Sequence, residues 1–223
     1  METKIVEKKV ESYLRELIPQ RNAFLSGLEA YAEENHVPIV QPEVGQLIKW
    51  YVQTLKPKRV LEVGTAIGYS GSLMAFEMGT GHIDTIELNE NMISIATKTF
   101  ESFSKLEGYD VTFKIHSGDA ADVLKDIQGT YDLIFIDAAK GQYNLYLEYA
   151  MPHLKIGGAI ISDNVLFKGM VADESLMPRR KKTIVKRLKT YLAHISNHPQ
   201  LETTILPMGD GVAISTKKEI EHE

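Results

Sequence analysis

The chain has no cysteine among its 223 residues. Disulfides, thiolate chemistry and a cysteine-based zinc site are excluded with it, and a reducing compartment is compatible. It also lacks an apolar run long enough to span a bilayer. The opening Met-Glu-Thr-Lys-Ile-Val-Glu-Lys-Lys is charged where a secretory signal carries its apolar region. A cytoplasmic protein is therefore expected. Excess positive charge is missing too: the formal net charge is -5, so any nucleic-acid contact must come from a local basic patch. Neither repeats nor low-complexity stretches nor a linker interrupt the chain, which predicts one domain over residues 1–223.

What is present is periodicity that changes along the chain. In residues 1–56, Val6, Val10, Tyr13, Leu14 and Leu17 recur at helical spacing before Pro19. Two more helices are expected, Asn22 to Glu34 and Pro42 to Leu55, the latter with proline in its first turn. From residue 57 on, short apolar runs alternate with helical segments. Strands are expected at Arg59–Val63, His82–Ile86, Val111–Ile115, Tyr131–Ile136 and Gly158–Ile161. Helices are expected at Ser70–Met78, Asn91–Leu106, Ala120–Ile127 and Leu145–Leu154. A long helix, Pro178 to Ser196, precedes a hairpin of Leu201–Ile205 and Val212–Ser215. The fold class is α/β: a Rossmann-like, mostly parallel sheet with helices on both faces and an antiparallel C-terminal hairpin.

Three places carry chemistry. Gly64-Thr65-Ala66-Ile67-Gly68 joins the first strand to its helix, where glycine admits a close ligand and free amides await it. The spacing is not the G-x-G-x-x-G of dinucleotide binders. Glu87 follows the second strand, where a carboxylate accepts from ribose hydroxyls. Asp119, in Ser117-Gly118-Asp119-Ala120, either faces an adenine or caps the next helix. Together these suggest a nucleoside-type ligand. Asp137 ends the fourth strand, and Asp163-Asn164 ends the fifth. Adjacent strand ends would bring two carboxylates and an amide together, a hard oxygen set suited to Mg²⁺ or Mn²⁺ with positions left open. Beside such a cation an ammonium loses its proton more readily, which makes Lys140 a proton acceptor. The bland alternative is ordinary loop polarity, since Asp-Asn is a turn dipeptide.

The stretches Glu62-Val-Gly-Thr-Ala-Ile-Gly-Tyr-Ser70, Thr85-Ile-Glu87, Ile136-Asp-Ala-Ala-Lys140, Ser162-Asp-Asn164 and Pro207-Met-Gly-Asp-Gly211 resemble the cation-dependent class I O-methyltransferases, the group of catechol and caffeoyl-CoA O-methyltransferases. The resemblance implies S-adenosylmethionine as methyl donor, held by Val40, Glu62, Gly64, Ser70, Glu87, Gly118, Asp119, Ala120 and Asp137. It implies a metal on Asp137, Asp163 and Asn164, deprotonation by Lys140, and a homodimer. Gly45-Gln46 also matches and supports Val40. Within the group, Asp163-Asn-Val-Leu-Phe-Lys-Gly169 is most similar to the bacterial tRNA 5-hydroxyuridine methyltransferases.

The acceptor is less legible. A metal with two adjacent open positions suits catechols, and equally the 5-oxygen and 4-carbonyl of 5-hydroxyuridine. In the last helix Ile184, Leu188, Tyr191, Leu192 and Ile195 form an apolar face, and Arg179, Lys182, Lys186 and Lys189 fall opposite. With Arg180, Lys181 and Arg187, seven basic residues occupy the eleven positions 179–189. That stripe is either a solvated face or a phosphate contact for tRNA or an acyl-CoA. An oxidoreductase or nucleotide-binding module on the same sheet is the remaining alternative, and it leaves Asp137, Lys140, Asp163 and Asn164 unexplained.

Overall fold

The computed structural model describes residues 5–219; the first four and last four residues of the expected domain lie outside them. Seven strands form one sheet: β1 Arg59–Val63, β2 Thr80–Glu87, β3 Asp110–Ser117, β4 Tyr131–Ile136, β5 Leu154–Ser162, β6 Leu201–Leu206 and β7 Val212–Lys217. Their order is β3-β2-β1-β4-β5-β7-β6. The first five are parallel, and β7 runs antiparallel between β5 and β6. The α/β arrangement expected from the sequence is the one observed. Because β1 lies between β2 and β4, the strand order reverses there. Open α/β sheets bind ligands outside the carboxyl ends of the strands at such a point.

Alternation within the strands builds a core on each face. Leu133 and Phe135 of β4 pack with Ala159 and Ile161 of β5 into one cluster, which also holds Val44, Ile48 and Val52 of α3 Pro42–Leu55. Ile134, Ile136 and Ile160 face the other cluster, filled by Tyr143, Tyr146 and Leu147 of α7 Tyr143–Ala150 and Leu188, Tyr191 and Ile195 of α8 Lys182–Ser196. Helices α2 Ala23–Glu34 and α4 Tyr69–Met78 join the first cluster, and α6 Ala120–Asp126 joins the second. The helix between β2 and β3 is α5 Glu90–Phe103. No helix among the described residues is long and apolar enough to cross a membrane.

Several boundaries differ from expectation. The helix expected at Leu145–Leu154 runs earlier and stops at Ala150; Met151–His153 is a 3-10 turn and Leu154 begins β5. Pro152 explains the stop, since it offers no amide and clashes with the carbonyl four residues back. The long C-terminal helix begins at Lys182, after a separate 3-10 turn at Arg179–Lys181. The N-terminal stripe does form a helix, α1 Lys8–Glu16, but buries none of it. Tyr13 and Leu17 stay 60% and 61% exposed. A bidentate ion pair ties the helix down: Arg15 Nε and Nη2 donate to Glu43 Oε2 and Oε1 at 2.8 and 2.9 Å.

Candidate active site

A cleft of about 560 Å³ opens over the carboxyl ends of β1, β2, β4 and β5. Val40, Gly64, Ser70, Glu87, Gly118, Asp119, Ala120, Asp137, Lys140, Asp163 and Asn164 all line it. Of the residues expected to hold the donor or the metal or to take the proton, Glu62 alone does not. Tyr69, Leu88, Gln142 and Tyr146 line it as well and were missed, because nothing in their spacing separates a cleft wall from a core face. A wider groove of about 800 Å³ lies beside α1 and shares Ile39, Val40 and Gln41 with the cleft.

The half of the cleft around the glycine turn is built on backbone. Gly64 sits at φ +104°, and a Cβ there would lie 2.2 Å from the Asp137 carbonyl oxygen. Its glycine is thus already required by the close passage of the β4 end, whatever ligand it also admits. Glu87 is turned onto amides: Oε2 accepts from Ala66 N at 2.9 Å, and Oε1 from Leu88 N and Asn89 N at 2.9 and 2.8 Å. Three of roughly four acceptor positions are thereby used, so a ribose would share this carboxylate with the loops. Asp119 accepts through Oδ1 from Ala121 N at 2.9 Å, which is the helix-cap reading, and it also lines the cleft.

Glu62 lies beneath the glycine turn, fully buried. Ser70 Oγ and Thr85 Oγ1 each donate to it at 2.6 Å, and Thr65 Oγ1 meets Thr85 Oγ1 at 2.6 Å. Burial outweighs these bonds and pushes its carboxyl up from 4.5 to about 7. The folded chain therefore keeps this proton to higher pH than the unfolded chain. The stabilisation is complete below about 4.5 and is lost as pH rises through about 7. Against a Glu62→Gln reference, wild-type stability should fall by roughly 3 kcal/mol across that window, at ~1.4 kcal/mol per pKa unit. Urea melts of the two proteins from pH 4 to pH 8 check this, and a difference that stays constant contradicts it.

The second half gathers charge. Asp137 N donates to Val63 O at 2.9 Å and Asp163 N to Ile136 O at 3.0 Å, which aligns the ends of β1, β4 and β5. Asp163 is 1% exposed, and its Oδ1 accepts from Asn164 N at 2.6 Å. Burial, and then the neighbouring Asp137, hold the Asp163 carboxyl well above the usual carboxylate range. Burial raises Asp137 too, against the pull of Lys140, whose Nζ stands 3.8 Å from Asp137 Oδ1. Tyr143 donates its hydroxyl to the Asp163 carbonyl at 2.9 Å.

The loop after β5 is unusual. Asn164, Phe167 and Lys168 all have positive φ, which L-residues adopt only at a cost of about 1–2 kcal/mol each. The β6–β7 turn holds them there. Val165 N donates to Gly211 O at 2.9 Å, Leu166 N to Asp210 O at 3.0 Å, and Lys168 N to the Asp210 carboxylate. Gly211 has φ +88°, and a Cβ there would strike Leu166. Asp210 is 5% exposed, and its supporting part could be guessed only from the turn it sits in.

Among the described residues, no three histidine, cysteine, aspartate or glutamate groups stand together as a metal site. The candidate set has two carboxylates and an amide. It fits a hard divalent cation on chemical grounds: two carboxylates, one almost wholly buried, line one cleft close enough for Asp137 to raise the pKa of Asp163.

Comparison with known proteins agrees with this architecture. A family model described as O-methyltransferase matches residues 20–218. A catechol O-methyltransferase of Niastella koreensis is 29% identical, covering 95% of this chain and 97% of that protein. A caffeoyl-CoA O-methyltransferase of Stellaria longipes is 29% identical over 88% and 84%. A crystal structure from Staphylococcus aureus, assigned provisionally as a caffeoyl-CoA O-methyltransferase, superposes with a TM-score of 0.85 at 35% identity, covering 94% and 100%. An O-methyltransferase from Bacillus cereus, solved in complex with SAH, gives 0.80 at 25% identity, covering 94% and 97%. With the cleft at the switch point and the match running through nearly all of the sheet, the chain belongs to the O-methyltransferase family and is an S-adenosylmethionine-dependent enzyme of the catechol and caffeoyl-CoA type.

Proposed function

We propose that residues 1–223 act as one methyltransferase domain that methylates 5-hydroxyuridine at the tRNA wobble position to 5-methoxyuridine, using Mg²⁺ or Mn²⁺. The observation that supports metal-assisted methyl transfer is the pairing of Asp137 with Asp163-Asn164 at adjacent strand ends, beside the Glu87 side of the same cleft; the choice of RNA rests on the basic face of α8. Asp137, Asp163 and Asn164 would hold the divalent cation, which would supply Lewis-acid activation of the acceptor hydroxyl. Lys140 Nζ would take the proton from that hydroxyl. Glu87 would accept from the donor's ribose, Ser70 and Val40 would hold its amino-acid end, and Gly118 to Ala120 would border the adenine. The remaining work is alignment of the nucleophile with the sulfonium methyl. Glu87→Ala removes charge-assisted bonds worth about 1.5–3 kcal/mol each, so donor affinity should drop at least tenfold. Calorimetry with S-adenosylmethionine reads this, and unchanged affinity moves the ribose contact elsewhere.

The basic face supports RNA as acceptor. Lys182 and Lys186 are exposed on α8, and Arg179 and Arg180 are exposed on the turn before it. Phosphate neutralisation releases counterions, so tRNA affinity should fall steeply with salt. Replacing Lys182 and Lys186 with Glu should weaken binding and flatten that slope. A salt dependence equal to wild type removes the stripe from the interface. The relatives, named catechol and caffeoyl-CoA O-methyltransferases, favour a second reading, a catechol or an acyl-CoA thioester as acceptor. The exposed apolar residues Tyr13, Leu14, Leu17 and Trp50 support a homodimer; sedimentation as a monomer at micromolar concentration opposes it.

A further inference from the structure

We infer that Arg187 is a positioning residue for the turn that carries Lys140, and not one of the phosphate contacts of the basic face. The inference stands on the geometry of α8 and of the turn that carries Lys140, and rests on the proposed function for its kinetic readout with tRNA; if tRNA is not turned over, exchange in the turn alone decides it. Arg187 Nη1 donates to the Gly141 carbonyl at 3.1 Å, from α8 to the residue after Lys140. The guanidinium lies against the turn backbone: a Cβ on Gly141 would come within 3.3 Å of Nη1. That turn, Lys140–Gln142, is a single 3-10 turn whose cap residue, Ala139, supplies no side-chain bond. Its internal bond is Gln142 N to Ala139 O at 2.8 Å. The turn leads straight into α7, whose buried Tyr143 and Tyr146 hold its far end; Arg187 adds a charge-assisted bond from outside at its middle.

A strut works only from a rigid base, and α8 provides one. Leu188 and Ile195 are fully buried, and Tyr191 is 1% exposed. Tyr191 OH meets Ser162 Oγ at 2.6 Å, one residue before Asp163. The Tyr191 ring packs edge-on against Tyr143 at 5.4 Å, and Tyr143 OH donates to the Asp163 carbonyl. Helix α8 is thus fastened to the strand end that carries Asp163, and from there Arg187 reaches the turn that carries Lys140. The helix sets the spacing between the lysine and the Asp163-Asn164 pair. Lys186 precedes Arg187 in sequence, is exposed, and has no such tie to the turn.

The test compares Arg187→Met and Arg187→Lys with Lys186→Glu in the full chain. Three readouts are taken: hydrogen exchange of the segment 138–146, tRNA affinity, and kcat and KM with tRNA. Arg187→Met should speed exchange in the turn and lower kcat about tenfold, since small misplacements of a reacting group cost this much or more. Its tRNA affinity and KM should stay within twofold of wild type. Arg187→Lys, which can still donate to the carbonyl, should recover most of both losses. Lys186→Glu should weaken tRNA binding and leave turn exchange alone. The inference is overturned if Arg187→Met weakens tRNA binding as Lys186→Glu does while exchange in the turn is unchanged. Lys140→Met, measured in parallel, keeps the two readings apart. Wild-type turnover in that variant discards the role of Lys140, and turn exchange alone then decides whether Arg187 fixes the turn.

Discussion

Excess chelator should abolish methyl transfer, and Mg²⁺ or Mn²⁺ should restore it. The reason is the buried charge at the end of β5. An ionised carboxylate that is 1% exposed is costly to keep without a cation. Here Asp137 adds like-charge repulsion, and Lys140 sits 3.8 Å from Asp137. A divalent ion bound there would turn that cost into binding energy. Asp163→Ala should then lose activity by at least a hundredfold, by analogy with the several kcal/mol that Lewis-acid stabilisation supplies. Its fold should survive, because the side chain's bond to Asn164 N is local and removing an uncompensated buried acid relieves strain. A melting temperature no lower than that of metal-free wild type separates a lost ligand from a lost fold. Full turnover in excess chelator would falsify the metal role.

Lys140→Met should lower kcat by about 10²–10⁴, the usual range for a positioned proton acceptor. Donor affinity should barely move, because the lysine acts on the chemical step and not on the nucleoside. Methionine keeps the stem and discards the amine, so packing against the 3-10 turn is little disturbed. A kcat within threefold of wild type, or a loss of donor affinity that accounts for the whole effect, takes Lys140 out of the proton transfer.

Local rules carried much of this structure. Strand β4 was legible because Leu133-Ile134-Phe135-Ile136 is buried on both faces and reads as an unbroken apolar run. Helix α3 was legible because Pro42 opens it and Val44, Ile48 and Val52 repeat at one turn. The end of α7 was misplaced because the apolar pattern continues past Pro152 into β5, and periodicity does not mark where a helix yields to a strand. The stripe of α1 was legible as a helix, but burial depends on what packs opposite, which no local pattern states. In the site, the strand-end acids could be found because strand ends converge by topology. The support of the loop at Lys168 by Asp210, and of Gly141 by Arg187, could not, since each joins segments more than 40 residues apart. Arg187 also shows the limit of counting charges: the stripe predicted a cation there, and the fold uses it on a carbonyl.

The central claim is that tRNA is the acceptor, and it is tested most directly with tRNA isolated from a strain lacking this protein. Incubated with the purified enzyme, S-adenosylmethionine and Mg²⁺, that tRNA should gain a methyl group. Mass spectrometry of its nucleosides should show 5-hydroxyuridine converted to 5-methoxyuridine. If that tRNA carries no excess of 5-hydroxyuridine and accepts no methyl group, while a catechol or an acyl-CoA thioester is methylated efficiently, the RNA reading is contradicted and the small-molecule acceptor takes its place.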